Sequence, residues 1–122
     1  MKATFEIKKS PDGRFIFDLK AANDQVILTS QTYQTKEDAE DGIAAVRQNA
    51  PLDDRYEERA GGDRLPYFVL RAPNRQVIGR SQLYSSREAM RKGIASVKRN
   101  AHQAGIVDFT ARVRSATGES LE

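Results

Sequence analysis

The sequence predicts an α+β protein made of two tandem β-β-β-α units and a closing strand. Three observations carry this prediction. Residues 15–50 align with residues 66–101 at a constant offset of 51 without a gap, and 17 of the 36 aligned positions are identical. In both copies, segments of period-2 alternation precede one segment of helical periodicity. After the second copy, alternation starts again at Ile106. A long, gapless repeat marks one supersecondary unit used twice, and each unit has a sheet face that its neighbour can help bury.

Each unit opens with a strand. Phe5 and Ile7 alternate with Glu6 and Lys8; the second copy, Tyr56-Glu57-Glu58-Arg59, keeps the aromatic residue and loses the second apolar one. Ser10-Pro11-Asp12-Gly13 and Ala60-Gly61-Gly62-Asp63 supply turns, in which Pro presets φ and Gly accepts positive φ. In the second strand Phe15, Phe17, Leu19 and Ala21 share one face, as do Phe68, Leu70 and Ala72 in the copy. Ile16, Tyr67 and Val69 make the opposite face partly apolar, which predicts that this face is covered too. Asn23-Asp24 and Asn74-Arg75 turn the chain into short third strands at residues 25–28 and 76–78. Asn tolerates the left-handed region well, Asp less and Arg poorly.

Thr35 and Ser86 are N-cap residues for the helices that close the units. Ala39, Ile43, Val46 and Ala50 form an apolar stripe, repeated by Met90, Ile94, Val97 and Ala101. Gly42 and Gly93 lie on the same stripe, where glycine costs about 1 kcal/mol relative to alanine. Their presence in both copies predicts a helix backbone lying close against the sheet. Asn49 and Asn100 suit helix C-termini, and Pro51 cannot continue the first helix. Val107, Phe109, Ala111 and Val113 alternate as a strand that fills a sheet edge. The predicted boundaries are residues 1–51 and 52–102 for the units and 103–114 for the closing strand. Residues 115–122 form a tail whose final Leu121-Glu122 reads as a vector scar. Two units around one core make an internal dimer about a pseudo-twofold axis, which predicts a monomer.

Composition narrows the functional classes. A chain of 122 residues can bury about 65% of its unfolded surface, enough for a core without staples. The absence of cysteine excludes disulfides and thiolate zinc sites. There is no signal-peptide-like N-terminus and no apolar run near the roughly 20 residues of a membrane span, so the expected compartment is the cytoplasm. The net charge of +3 is uneven: residues 1–51 carry −1 and residues 52–122 carry +4.

The pattern Asn-x-Gln-Val-Ile-x-x-Ser-x-x-Tyr followed by Gly-Ile-x-x-Val-x-x-Asn-Ala, present at residues 23–50 and 74–101, resembles the YegP-like family of bacterial proteins. The resemblance covers about three quarters of the chain. It implies a tandem β-β-β-α fold, with single-copy members pairing as dimers, and it brings no activity. The family tends to have Asn-Gly where this chain has Asn23-Asp24 and Asn74-Arg75, and often Glu where Gln31 and Gln82 stand.

Catalytic constellations are sparse. His102 is the single histidine, which excludes a Cys-His pair and a multi-histidine metal site. At a predicted helix end it reads as an exposed or capping residue. Glu37, Asp38, Glu40 and Asp41 read as a solvated helix surface, and Gly61-Gly62 lacks the rest of a phosphate loop. No catalytic residue, metal or cofactor is expected. Ser30-Gln31-x-Tyr33 and Ser81-Gln82-x-Tyr84 precede the helix N-termini, where backbone N–H groups can receive an anion. Gln31, Tyr33, Gln82 and Tyr84 are therefore candidate binding residues, although packing under the helix accounts for them as well. The second helix carries Arg87, Arg91, Lys92, Lys98 and Arg99 against Glu88, a net of +4, whereas the first carries −2. Arg87, Arg91, Lys98 and Arg99 are candidate phosphate contacts, with Tyr67 or Tyr84 available to stack on bases. The alternatives are a solvated face or one complementary to the acidic first helix. The resulting reading is a non-enzymatic interaction or structural module with a protein partner. Weak, nonspecific nucleic-acid binding through the second helix is the alternative.

Overall fold

A computed structural model of the chain describes residues 2–110. Seven strands and two helices follow the predicted order: β1 (Thr4–Lys9), β2 (Phe15–Lys20), β3 (Val26–Thr29), α1 (Lys36–Asn49), β4 (Tyr56–Ala60), β5 (Pro66–Arg71), β6 (Val77–Arg80), α2 (Arg87–Ala101) and β7 (Gly105–Asp108). The strands form one sheet in the order β4-β5-β6-β3-β2-β1-β7. The units meet at an antiparallel β3–β6 seam, and up to β7 the order reads alike from either side of it. α1 lies over β2 and β6, and α2 lies over β5 and β3. Each helix thus packs on strands of both units, and one apolar cluster serves the whole chain.

The caps form as the residues require. Thr35 Oγ1 accepts from the Asp38 N–H at 3.0 Å, and Ser86 Oγ accepts from the Ala89 N–H at 3.0 Å. Ala39, Ile43, Val46 and Ala50 are buried, as are Met90, Val97 and Ala101. At the seam the copies depart from symmetry usefully. Leu28 has Gly79 as its counterpart, and a Cβ on Gly79 would sit 2.7 Å from Leu28 Cγ. A second leucine would not fit there.

Several sequence expectations change. The strand predicted within 103–114 ends at Asp108, whose Oδ1 accepts from both the N–H (2.9 Å) and the hydroxyl (2.6 Å) of Thr110. Phe109 and Thr110 are helical, and residues 111–122, with the predicted remainder of the strand and the tail, lie outside the described residues. β7 pairs in parallel with β1, with Phe5 opposite Ile106 and Ile7 opposite Asp108. Paired residues share a face, so Ile106 and Asp108 face the helices while Val107 lies with Glu6 on the other side. Alternation revealed the strand, and pairing with β1 decides its faces, with Ile106 remaining 46% exposed at the edge of the sheet.

The helix-free face of the sheet has no covering element among the described residues. Ion pairs dress it instead: Lys8 with Asp18 (2.7 Å), Lys20 with Glu6 (3.3 Å), and Arg59 and Arg71 with Glu57 (3.2 and 3.5 Å). In the second-unit turn, positive φ falls on Asp63 (56°) and Arg64 (60°) and not on Gly61 or Gly62; in the first unit it falls on Gly13 (84°). Asp24 (72°) and Arg75 (71°) take positive φ at the other hairpin. Asn49 and Asn100 stay in the helices, and each donates to the carbonyl four residues back, at 2.8 Å.

Candidate functional site

The repeated Ser-Gln-x-Tyr segments are built alike. Ser30 Oγ accepts from the Phe17 N–H (2.9 Å) and donates to the Gln31 carbonyl (2.6 Å); Ser81 Oγ does the same with Phe68 (3.0 Å) and Gln82 (2.8 Å). These buried hydroxyls fold the chain back over the sheet and bring each tyrosine beneath a helix. The Tyr33 ring stacks on Phe17 at 6.1 Å between centroids, and Tyr84 on Phe68 at 6.4 Å. Phe5 and Tyr56 meet the same phenylalanines edge-on, at 5.9 and 5.8 Å.

The glycines on the helix stripe face these tyrosines. A Cβ on Gly42 would lie 2.7 Å from Tyr33 Cζ and 3.0 Å from Phe17 Cε2, and one on Gly93 2.7 Å from Tyr84 Cζ. The close approach predicted for Gly42 and Gly93 is thus made by an aromatic ring slotted between helix and sheet. Burial pushes the Tyr33 and Tyr84 hydroxyls above the ordinary tyrosine range, while hydrogen bonding from Gln31 and Gln82 pulls the other way. In this arrangement Tyr33 and Tyr84 complete the packing of each unit, and Gln31 and Gln82 stay exposed beside them. His102 is exposed at the end of α2, and Glu37, Asp38, Glu40 and Asp41 are exposed along α1.

The basic face of α2 has partners within its own unit. Glu58 on β4 receives Arg87 at 3.1 Å and Arg91 at 3.5 Å. Lys98 pairs with Asp53, just ahead of β4, and lies 5.6 Å from the centre of the Tyr56 ring. The partners thus come from β4 and its approach, not from α1. Among the described residues, Lys92 and Arg99 have no ion-pair partner. Tyr67 lies on the opposite, helix-free face, with Arg80 5.6 Å from its centroid, because β5 alternates and Phe68 takes the helix side. Neither candidate tyrosine stands beside the cations in a position to stack on a base.

Sequence reasoning missed Glu58. A comparison of the copies held the signal: Ile7 becomes Glu58 at the offset where Glu40 becomes Arg91. It named Asn49 only as a helix-end residue and missed that its Oδ1 accepts from Arg55 Nε at 2.9 Å, tying the inter-unit linker to α1.

The two ends of the sheet differ. At the β1 end, β7 lies beside β1 and is tied to α1: Arg47 Nη2 donates to the Ala104 carbonyl at 2.6 Å, and Lys36 pairs with Asp108 at 2.8 Å. At the β4 end, no strand occupies the equivalent place among the described residues. A cleft of about 330 Å³ remains, lined by Tyr56, Glu58, Arg91, Ile94 and Lys98.

The family model described as "Domain of unknown function (DUF1508)" matches residues 10–57 and 63–108. The chain belongs to the DUF1508 family. UPF0339 protein PM0519 of Pasteurella multocida is 50% identical over 106 residues, covering 87% of this chain and 93% of that protein. UPF0339 protein YegP of Escherichia coli K12 is 46% identical over 110 residues, covering 90% and 100%. The solution structure of UPF0339 protein SO3888 from Shewanella oneidensis superposes with a TM-score of 0.83 at 43% identity, covering 89% of this chain and 92% of that one. That of YegP from E. coli also gives 0.83, at 45% identity and 88% and 93% coverage. The YegP-like resemblance and the α+β repeat architecture are thereby established. Each DUF1508 segment runs from the turn before β2 or β5 into the following first strand, β4 or β7. No helix among the described residues is long and apolar enough to cross a membrane.

Proposed function

We propose that this chain is a non-enzymatic interaction module, a cytoplasmic monomer with internal pseudo-symmetry that presents its β4–α2 end to a protein partner. The difference between the two ends of the sheet carries the reading. β1 is flanked by β7, whereas β4 keeps cations and part-exposed apolar groups beside its outer edge with no strand there among the described residues.

The side chains with chemical potential are committed elsewhere. The Ser30 and Ser81 hydroxyls bond backbone on both sides, and burial raises the tyrosine hydroxyls away from neutral pH. Nucleic-acid binding is the weaker reading. Phosphate affinity grows with the number of cations available to displace counterions, and only one of the two copies has a basic helix, +4 on the second against −2 on the first.

Ala95 lines the open cleft, and Ala44 is its repeat counterpart on α1. A photo-crosslinking residue is placed at each position in turn and illuminated in native lysate, with and without nuclease. The expected result is protein adducts from position 95, insensitive to nuclease, and none from position 44. Nuclease-sensitive adducts at 95, or equal adducts at both positions, would overturn the proposal.

A further inference from the structure

We propose that the open lane beside β4 receives one extended strand from a partner polypeptide, running parallel to β4 and bearing a carboxylate. This rests on reading the β4–α2 end as the binding end, and it specifies how that end binds.

The occupied lane at the other end shows what such a site accepts. β7 pairs in parallel with β1 and sets apolar Ile106 level with Phe5. α1 holds it from above through two cations, Arg47 on a backbone carbonyl and Lys36 on the Asp108 carboxylate. At the repeat offset of 51, Arg47 corresponds to Lys98, Lys36 to Arg87, Phe5 to Tyr56 and Ile43 to Ile94. The aromatic, the helix isoleucine and both cations of the β7 receptor therefore recur beside β4, while Ile7, opposite Asp108, becomes Glu58, which holds Arg87.

Burial differs between the two ends. Phe5 is 0% and Ile43 1% exposed at the closed end. Their counterparts Tyr56 and Ile94 are only partly buried and line the 330 Å³ cleft. An added strand would cover them and pair the outer N–H and C=O groups of β4, which have no strand partner among the described residues. Exposed strand edges take up extended peptides in this way, with backbone bonds supplying affinity and side-chain contacts specificity.

Charge identifies the class of strand. Position 40 is Glu on α1, and its counterpart on α2 is Arg91. Arg87 and Arg91 share the single carboxylate of Glu58, so two guanidiniums with several donors each stand over the lane and can accept a second carboxylate. An acidic strand gains from this arrangement, and a basic one is repelled.

The probe is an acetylated, amidated peptide with the sequence of residues 103–110, titrated into the full isotope-labelled chain and followed by backbone amide NMR. Saturable shifts are expected in the amides of residues 56–60 and in Ile94. Replacing the peptide's Asp by Lys, or Arg87 and Arg91 of the protein by Glu, should weaken binding at least about tenfold. A spin label on the peptide N-terminus should broaden residues near Tyr56 more than those near Ala60. Unmoved β4 amides at millimolar peptide, or shifts confined to β1 and β7, would overturn the proposal. So would sedimentation as a dimer with β4 amides already protected from exchange, because a second copy would then hold the edge. If position 95 still crosslinks protein while the β4 amides stay silent, strand addition fails and the binding end stands. Silence in both experiments removes both.

Discussion

Gly93→Ala tests why each unit pairs a mid-helix glycine with a tyrosine. In an open helix the substitution would stabilise by about 1 kcal/mol through propensity alone. Here the new Cβ falls 2.7 Å from Tyr84 Cζ, roughly 1 Å inside ordinary carbon–carbon contact. The ring has little room to retreat, because it stacks on Phe68 at 13° between planes. Overpacking of this kind costs about 1–3 kcal/mol. Net destabilisation of about 1 kcal/mol is expected, measured by urea unfolding. In a Tyr84→Ala background the obstacle is gone, and the same Gly93→Ala change should stabilise by about 1 kcal/mol. This reversal of sign corresponds to a coupling of about 2 kcal/mol. Stabilisation by Gly93→Ala with the tyrosine in place would refute the account of the ring as the confining group.

Arg75 sits at φ 71°, so Arg75→Gly should relieve about 1–2 kcal/mol of left-handed strain while giving back about 0.5–1 kcal/mol of unfolded-state entropy. Calorimetry should show Tm rising by a few degrees, and a fall would mean that the arginine side chain contributes more than its backbone costs. The Tyr56 hydroxyl donates to the Ala50 carbonyl at 2.7 Å, and burial, followed by the nearby Asp53 charge, raises its pKa well above the usual 10.0. The unfolded chain releases this proton first, so stability should be complete below pH 10 and fall as pH rises beyond it. Tyr56→Phe should flatten that alkaline decline, and an unchanged slope in chemical-denaturation data would assign the decline to other groups. Neither RNA nor DNA should bind more tightly than micromolar at physiological salt. A steep fall of log K with log salt, made shallower by Arg91→Glu, would reinstate the nucleic-acid reading.

Local chemistry was legible in the sequence wherever one residue decides one feature. Thr35 and Ser86 marked the helix starts, and the two apolar stripes marked the buried faces. The glycines announced a close approach without naming the ring that makes it, because Tyr33 and Gly42 meet only once the chain folds back through Ser30. The face of β7 was not legible, since it follows from pairing with a strand about 100 residues away and not from its own alternation. Charge misled for a related reason. Arg87, Arg91 and Lys98 form a stripe on a helical projection, yet their carboxylate partners come from β4 and its approach, which no helical projection includes.

The pairing of β7 with β1 also bears on the order in which the chain can become complete. β1 acquires its outer neighbour only after residues 105–108 emerge, at the cost of closing a loop of roughly 100 residues. Until then β1 stands bare at the edge that β7 later covers, and bare strand edges are where strands of different chains join. Shortening the chain at residue 102 would make that condition permanent. The penalty should appear less as lost helix content than as concentration-dependent aggregation during synthesis and refolding.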